Sequence, residues 1–382
     1  MATPPIARLT VTGLTSIREL SLELKTPVTV LIGANGSGKS NIVKSFDLLG
    51  AVIDRRLQPY VAQRGGFTRL LHRATDVAMD ARGITLRIEG ANDTDGLMNG
   101  YVARLITAED DEPLLHETLL VQDTTKYDRP YDEPIGAARE SRLDRLTDAR
   151  LGTFASHVLT VLAGCKVYHF DDVSPDAPPK RQSPISDNLE LARDAGNIAS
   201  YLYRLRHEVP SAYRGIVDAI HAVAPFFEDF VLVPQGVEGD SILLRWLQVD
   251  NPTVFAASQL SDGTLRFICL ATLLLSPHRP ATIVLDEPEL GLHPFAIHLL
   301  GELLRVAARD GHRVILATKS TDLLGEFDLE EIAVVERRGG STHVSRPDRR
   351  ELDNFLHSYS VSEMWQMNLL GGRPTADNVS AS

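Results

Sequence analysis

A glycine-rich segment, GANGSGKS at residues 33–40, carries residue types that bind phosphate. It follows the apolar run 28–32, which predicts a buried strand, and precedes residues with helical apolar spacing. In this context the glycines let the backbone present N–H groups to phosphate oxygens, and the helix adds its positive N-terminal end. The alternative is a glycine-rich turn with a chance Lys-Ser pair. That alternative does not explain why a predicted strand precedes the segment and a predicted helix follows it. We predict that Lys39 binds the β- and γ-phosphates and that the Ser40 hydroxyl binds Mg²⁺. The predicted phosphate-binding residues are Gly33, Asn35, Gly36, Ser37, Gly38, Lys39, Ser40 and Asn41.

Two acids, Asp286 and Glu287, follow a second apolar run at residues 283–285. In ATPases with a phosphate-binding loop of this type, the first acid at such a strand end holds Mg²⁺ or its water. The second acid orients and deprotonates the attacking water. We therefore predict that Asp286 is a metal ligand together with Ser40, and that Glu287 is the general base. The alternative is a strand that ends at the N-cap of a helix.

The segment LSDGT at residues 260–264 opens a predicted helix just before that strand. Ser261 is a favourable N-cap residue, and Gly263 exposes backbone N–H groups in the first turn. The simplest interpretation is a capped helix. The functional interpretation is a second phosphate clamp, with Ser261 and Gly263 as its ligands, and the order of the three motifs favours it.

Alternating strands and helices in the C-terminal half predict a mostly parallel sheet covered by helices. A second group of strands precedes it and predicts an antiparallel sheet. Residues 123–150 are predicted to form a loop leading into a short helix, and residues 171–187 a surface loop. The helix predictions for the middle and end of the chain are 189–207, 211–223, 349–357 and 361–369. The last two carry an apolar stripe that is predicted to pack: Leu352, Phe355, Leu356, Trp365 and Leu369. The strand predictions are 6–11, 20–24, 28–32, 84–89, 101–107, 115–121, 167–170, 230–233, 241–248, 282–285, 313–317 and 332–336.

The composition is that of an ordinary globular protein, with 43% hydrophobic and 24% charged residues. The two cysteines, Cys165 and Cys269, lie in apolar surroundings and indicate buried thiols in a reducing compartment. Residues 1–9 lack the pattern of a signal peptide, and no apolar run approaches the roughly 20 residues that span a bilayer. We therefore expect a cytoplasmic protein without a membrane partner.

The net charge of −12 argues against a globally basic nucleic-acid-binding protein. Local clusters of arginine nevertheless allow contact with a phosphate backbone, which needs only local positive charge. The alternative is that both clusters are solvated faces. Their members are Arg55, Arg56, Arg64, Arg69 and Arg73 in one, and Arg337, Arg338, Arg346, Arg349 and Arg350 in the other.

The motifs GANGSGKS, LSDGT, LDEPELGLHP and LATKS, in that order, resemble the head domain of ABC-type ATPases. The resemblance is to the RecF-like, OLD-like and SMC-like branch, often called AAA family ATPases. YHFDDVS at residues 168–174 and NLLGGRP at 368–374 are similar to a bacterial stand-alone group of that branch, so the resemblance covers nearly the whole chain. It implies an α/β P-loop NTPase fold with a mixed sheet, an antiparallel β-subdomain and a helical lobe. The implied divisions of this single head are 1–122, 123–275, 276–345 and 346–382, with a mobile tail after residue 371.

The resemblance also implies how the motifs cooperate. Two heads would sandwich two ATP molecules with Mg²⁺, so that each site combines the P-loop, Asp286 and Glu287 of one subunit with Ser261 and Gly263 of the partner subunit. The turn at residues 289–294 would lie at the seam of this homodimer. ATP would hold the dimer closed, and hydrolysis would release it.

Several residues depart from the ABC pattern. Asp262 and Thr264 stand where ABC transporters usually have glycine and glutamine, and Lys319 stands at a position that is often histidine. A lysine can hold the γ-phosphate as a fixed cation but does not relay a proton near neutral pH unless its pKa is lowered, so we expect slow hydrolysis. The alternative is that Lys319 points to solvent. Gln122 is the candidate for the glutamine that senses Mg²⁺.

These observations predict an ATPase that senses or organises DNA and controls a partner effector, in DNA repair or anti-phage defence. The sequence shows neither the heptads of a long coiled coil nor a nuclease domain after the head, so any cutting is expected from a partner nuclease. A non-hydrolysing, ATP-sensing scaffold for a nuclease or toxin is the main alternative. The nucleotide-binding subunit of a membrane transporter is a lesser alternative. Roughly 220 residues (261 − 40) separate Ser40 from Ser261 here, whereas the corresponding spacing in transporter subunits is much shorter.

Overall fold

The computed structural model describes residues 5–73, 82–92, 96–146, 149–236 and 239–372. Most of its strands belong to two six-stranded sheets. The strands are β1 (Ile6–Leu14), β2 (Ile17–Glu23), β3 (Val28–Ile32), β4 (Gly83–Gly90), β5 (Leu97–Thr107), β6 (Pro113–Asp123), β7 (Tyr131–Ala138), β8 (Cys165–Tyr168), β9 (Ser183–Pro184), β10 (Phe227–Phe230), β11 (Ser241–Ile242), β12 (Arg245–Gln248), β13 (Asn251–Ala256), β14 (Thr282–Asp286), β15 (Arg313–Ala317), β16 (Ile332–Arg338) and β17 (Ser341–Ser345). The helices are α1 (Lys39–Ile53), α2 (Leu57–Gln63), α3 (Ala149–Ala163), α4 (Ile198–Glu208), α5 (Pro210–Val223), α6 (Asp262–Leu275), α7 (Pro294–Arg309), α8 (Thr321–Leu324), α9 (Arg349–Leu356) and α10 (Val361–Gln366).

The first sheet has the order β17-β16-β3-β15-β14-β8 and is parallel except for β17. Every residue of β3 is buried, as parallel strands covered on both faces require. Because the strands are parallel, β3, β14, β15 and β8 all deliver their following residues to one edge of the sheet. That edge receives the P-loop, the acid pair and Lys319.

The second sheet is antiparallel, with the order β2-β1-β4-β5-β6-β7. Its apolar face, α1 and α3 form one core with the near face of the parallel sheet. A second core lies on the other face of the parallel sheet and is built largely from α4 to α7. The predicted α/β fold class, with a mixed sheet, an antiparallel β-subdomain and a helical lobe, is confirmed.

Some predicted elements differ from the structure. The predicted loop at 123–150 contains β7, which pairs with β6 and carries the antiparallel sheet past the predicted boundary at residue 122. Its sequence, YDEPIGAA, lacks apolar alternation because it is a largely exposed edge strand, where Pro134 is tolerated at a register shift. The hairpin strands β13 and β17 were not predicted either. Each follows a turn with positive φ, at Asp250 and at Gly339-Gly340, that interrupts the apolar pattern.

The helix predicted to begin at residue 189 begins only at Ile198. The Asn197 side chain stabilises turns instead, donating to the Asp187 and Glu190 carbonyls and accepting from the Ala192 N–H. The strand predicted at 230–233 lies at Phe227–Phe230.

In the last helices Leu352 is buried as predicted, but Phe355 is 38% exposed. Most of the predicted mobile tail, residues 373–382, lies outside the described residues. No described helix combines the length and the apolar character needed to cross a membrane.

Candidate functional site

The P-loop joins β3 to α1 and is shaped by glycines that the hairpin β16–β17 approaches closely. Gly38 has φ 110°, and a Cβ there would lie 2.0 Å from Thr342 Oγ1. A Cβ at Gly33 would lie 2.1 Å from the Val335 carbonyl oxygen. Side chains at these two positions would therefore displace the loop from the hairpin, and only glycine fits.

Lys39 is buried at the start of α1, and its ammonium donates to the loop itself. Nζ lies 2.6 Å from the Gly33 carbonyl oxygen and 3.2 Å from that of Ala34. Burial lowers the pKa of Lys39, and the neighbouring Lys319 lowers it further. The Ser37 hydroxyl is buried without a hydrogen-bond partner among the described residues. The loop thus holds a cation and an unused hydroxyl where phosphate oxygens could accept hydrogen bonds.

Ser40, in the first turn of α1, lies near Asp286, the last residue of β14. The Ser40 side chain is close enough to the Asp286 carboxylate to counteract part of the rise in its pKa. Burial raises the pKa of Asp286, and the adjacent Glu287 adds to this effect. Within the described ranges, the buried Oδ1 of Asp286 has no hydrogen-bond partner. A hydroxyl beside a carboxylate with a free oxygen suits Mg²⁺, which takes few protein ligands and completes its octahedron with water and substrate phosphates.

Glu287 pairs with Lys319 across the ends of β14 and β15. Glu287 has φ 45°, an uncommon value for a residue other than glycine, and its N–H donates to the Ala317 carbonyl at 2.8 Å. Its Oε1 lies 2.5 Å from Lys319 Nζ, although 45% of the Lys319 side chain is exposed. The alternative in which Lys319 points away into solvent does not describe this structure. The predicted base and the predicted fixed cation are already in contact.

Ser261 caps α6 in the way the simplest interpretation requires. Its Oγ accepts from the Thr264 N–H at 3.2 Å, and Asp262 pairs with Lys180 at 3.7 Å. Gly263 packs on the turn after β14, where a Cβ would lie 2.2 Å from the Gly291 carbonyl oxygen. The contacts described for Ser261 and Gly263 are therefore with α6 and this turn, and Ser261 itself is exposed.

Two predicted residues have other roles in the structure. The Asn41 amide donates to Ser16 Oγ at 2.7 Å, and Ser16 in turn hydrogen-bonds Thr342, so Asn41 anchors the base of the P-loop. Gln122 lies on β6 in the antiparallel sheet, where its amide donates to the Tyr127 carbonyl at 2.7 Å.

His169 reaches the same sheet edge and was not predicted. Because Tyr168 pairs with Leu285 in parallel register, His169 and Asp286 end neighbouring strands. His169 Nε2 lies 3.0 Å from both oxygens of Asp47 on α1. The bond to Asp47 raises the pKa of His169, with smaller contributions from Asp171 and Asp286. The signal in the sequence was the segment YHFDDVS at residues 168–174, which contributed to the resemblance but did not assign a role to His169.

The fold and this site define a P-loop ATPase head of the ABC type. A protein-family model described as "AAA domain, putative AbiEii toxin, Type IV TA system" matches residues 28–325, and the chain belongs to that family.

Similar solved structures support the fold. The chain is similar to an Smc head bound to the C-terminal winged-helix domain of ScpA, with a TM-score of 0.63, 15% identity, and coverage of 92% of this chain and 100% of that one. It is also similar to the Pyrococcus furiosus Smc head with an extended coiled coil bound to the C-terminal domain of ScpA. There the TM-score is 0.60 and the identity 13%, over 93% and 99% of the two chains. At these identities the similarity is one of fold.

Curated relatives match only locally. Nod factor export ATP-binding protein I of Rhizobium etli is 37% identical over 78 residues, which are 20% of this chain and 24% of that protein. A Streptomyces avermitilis protein described as a "Putative ABC transporter ATP-binding protein" is 42% identical over 68 residues, 18% of this chain and 12% of that one. The chain thus spans about a quarter or less of the length of these relatives.

Proposed function

We propose that this chain is a Mg²⁺-dependent ATPase in which two copies enclose two ATP molecules. The observation that carries the proposal is that Ser40 lies near Asp286, beside the Glu287–Lys319 ion pair. The buried Oδ1 of Asp286 has no hydrogen-bond partner in the part of the chain that the structure describes. Ser40 and Asp286 would hold the ion, which neutralises charge on the transferred phosphoryl group when bound. Ser261 and Gly263 of the partner subunit would complete each site.

Glu287 and Lys319 are the side chains of this chain that would act on the attacking water and on the γ-phosphate. Glu287 would accept the proton of the attacking water. When ATP binds, the Lys319 ammonium would leave Glu287 and contact the γ-phosphate. It would stabilise the phosphate as a fixed positive charge and would not carry a proton. With one base and no second proton carrier in this pair, hydrolysis is expected to be slow.

Phosphate release by the purified protein separates this proposal from an ATP-sensing scaffold. Mg-ATP turnover should be measurable, and Glu287→Gln should lower it by about 10²–10⁴-fold, the usual contribution of a general base, while ATP still binds. The matched control is Glu302→Gln on α7, which should leave turnover unchanged. A wild-type protein that binds ATP without releasing phosphate would support the scaffold.

DNA is the proposed trigger, and the first arginine cluster supports it. Arg56, Arg64 and Arg193 line a cleft of about 290 Å³ between α1, α2 and the loop after β8. The Arg64 guanidinium stacks 3.6 Å from the Tyr60 ring centroid. Several arginines here are already engaged by the chain itself. Arg56 and Arg193 both pair with Asp54, Arg55 pairs with Asp144, and Arg346 donates to backbone carbonyls.

Charge reversal tests this DNA contact. Arg64→Glu with Arg69→Glu should weaken DNA binding measured by fluorescence anisotropy and flatten its dependence on salt between 50 and 200 mM, by about one unit of slope per lost phosphate contact. Arg214→Glu, an exposed arginine on α5, is the control. Undetectable binding of the wild-type protein at low salt would contradict the DNA role.

The proposal of a partner effector is supported by the description of the protein family. The family description names a toxin of a type IV toxin–antitoxin system, which supports a role in defence more directly than one in repair. We propose that the ATP-closed dimer controls an effector protein such as a nuclease. Recovery of a stable complex with a membrane protein would support the transporter alternative instead.

A further inference from the structure

A buried arginine joins three segments at the carboxyl edge of the parallel sheet. Arg266 lies one turn into α6 and is only 7% exposed. Its Nε donates to the Phe170 carbonyl at 2.8 Å and its Nη2 to the Asp171 carbonyl at 3.3 Å. Its Nη1 donates to the Leu290 carbonyl. One side chain therefore ties α6 to the loop after β8 and to the turn after β14.

The partners of Arg266 are backbone carbonyl oxygens from two loops. A buried cation is most favourably paired with a carboxylate, so these three hydrogen bonds must offset the desolvation cost of the guanidinium. An apolar side chain of similar size would avoid that cost but would leave the three carbonyls without this donor. What the planar guanidinium provides is a fixed set of donor directions that holds two loops at a set distance from α6.

The turn held by Arg266 is connected directly to the catalytic lysine. Glu289, in that turn, is 8% exposed, and its Oε1 accepts from Thr318 Oγ1 at 2.5 Å. The same oxygen accepts from the backbone N–H groups of Lys319 and Ser320 at 3.2 and 3.3 Å. Lys319 then reaches Glu287 with its ammonium. Contacts therefore run without a gap from α6 to the predicted base.

The first turn of α6 also rests on the same turn. The Gly263 Cα faces the Gly291 carbonyl so closely that a Cβ would come within 2.2 Å of it. A displacement of the N-terminus of α6 would thus be passed to residues 289–291 by contact at Gly263 and by the hydrogen bond from Arg266.

We propose that Arg266 is a positioning residue that couples the N-terminus of α6 to Glu287 and Lys319 of the same subunit. This inference rests on the proposed function, in which Ser261 and Gly263 of α6 meet the nucleotide of the partner subunit. Nucleotide bound at one site would then set the geometry of the base at the other. Hydrolysis should consequently be cooperative in ATP, and the cooperativity should depend on Arg266.

Arg266→Lys keeps the positive charge but removes the planar guanidinium with its fixed donor directions. Arg279→Lys is the matched control. Arg279 is also largely buried, with 11% of its side chain exposed, but it donates to Asp310 and the Leu274 carbonyl before β14, at the opposite edge of the sheet. We expect Arg266→Lys to lower the Hill coefficient of hydrolysis to about 1 and kcat by about tenfold. ATP binding by the monomer should stay within about twofold, since the P-loop is untouched. Arg279→Lys should change none of these values.

Hydrogen exchange of the nucleotide-free protein supplies a second measurement that needs no activity. Amides of segments 168–172 and 288–293 should exchange faster in Arg266→Lys and unchanged in Arg279→Lys. Wild-type cooperativity and wild-type exchange in Arg266→Lys would overturn the coupling. A wild-type protein with neither hydrolysis nor an ATP-dependent dimer would overturn the proposed function instead, and exchange would still decide whether Arg266 holds the two segments.

Discussion

Replacing Lys319 by methionine separates its role in the free protein from its role in catalysis. Methionine keeps the length of the side chain but removes the ammonium that lies 2.5 Å from Glu287 Oε1. In the free protein this deletes a single ion pair. In the ATP-bound state it deletes the fixed cation that we propose for the γ-phosphate.

The two effects differ in size. The Lys319 and Glu287 side chains are 45% and 22% exposed, so the pair is screened by solvent and its loss should cost about 0.2–1 kcal/mol of unfolding free energy. A preorganised donor directed at developing transition-state charge is worth more, and its removal typically lowers kcat by about 10²–10³-fold, or about 2.7–4 kcal/mol. The substitution should therefore leave folding nearly intact while greatly reducing turnover.

Steady-state phosphate release, together with urea unfolding, measures both quantities in one preparation. Lys44→Met is the matched control, because Lys44 is an exposed lysine on the P-loop helix whose ammonium lies 3.5 Å from Asn41 Oδ1. It should lose neither stability nor turnover. A Lys319→Met protein with wild-type kcat would refute the assignment of Lys319 to the γ-phosphate.

Two further predictions concern the loop and the buried acid. Gly38→Ala should lower the unfolding free energy by about 1–3 kcal/mol and weaken ATP binding by calorimetry, because φ is 110° and the new Cβ would lie 2.0 Å from Thr342 Oγ1. Gly36→Ala, at φ 76° with no atom within 4 Å of the new Cβ, should be clearly milder, and equal losses would contradict the steric argument. Burial raises the pKa of Glu289 above its ordinary 4.5, so its contribution to stability is full below that value and is lost as pH rises through the raised pKa. The unfolding free energy of the wild type should therefore fall relative to that of Glu289→Gln as the pH rises above about 4.5. Parallel pH profiles of the two proteins would show that burial does not raise the pKa of Glu289.

The core of the site was predictable because its signals are local. The strand β3, the glycine loop and α1 are contiguous, and β14 ends directly in the acid pair, so apolar periodicity and spacing place these groups at one sheet edge. Parallel topology then brings Ser40 to Asp286 and Lys319 to Glu287, although the members of each pair are far apart or on separate strands.

The missed residues depend on contacts that no local pattern encodes. Arg266 binds carbonyls 96, 95 and 24 positions away, and His169 binds Asp47 across 122 positions. Backbone carbonyls have no residue type, so the sequence contains nothing that marks Phe170 or Leu290 as partners. The edge strands β7 and β13 were missed for a related reason, because strands that bury little of either face show little alternation.

The mass in solution of Glu287→Gln, by light scattering with and without Mg-ATP, tests the central claim most directly. Removing the base should trap ATP while leaving both phosphate clamps intact. We predict a monomer without nucleotide and a dimer with Mg-ATP, and Ser261→Arg in the same background should abolish the shift. The same mass with and without Mg-ATP would contradict the composite site. Ser261 would then be only the cap of α6 that it forms in the single chain.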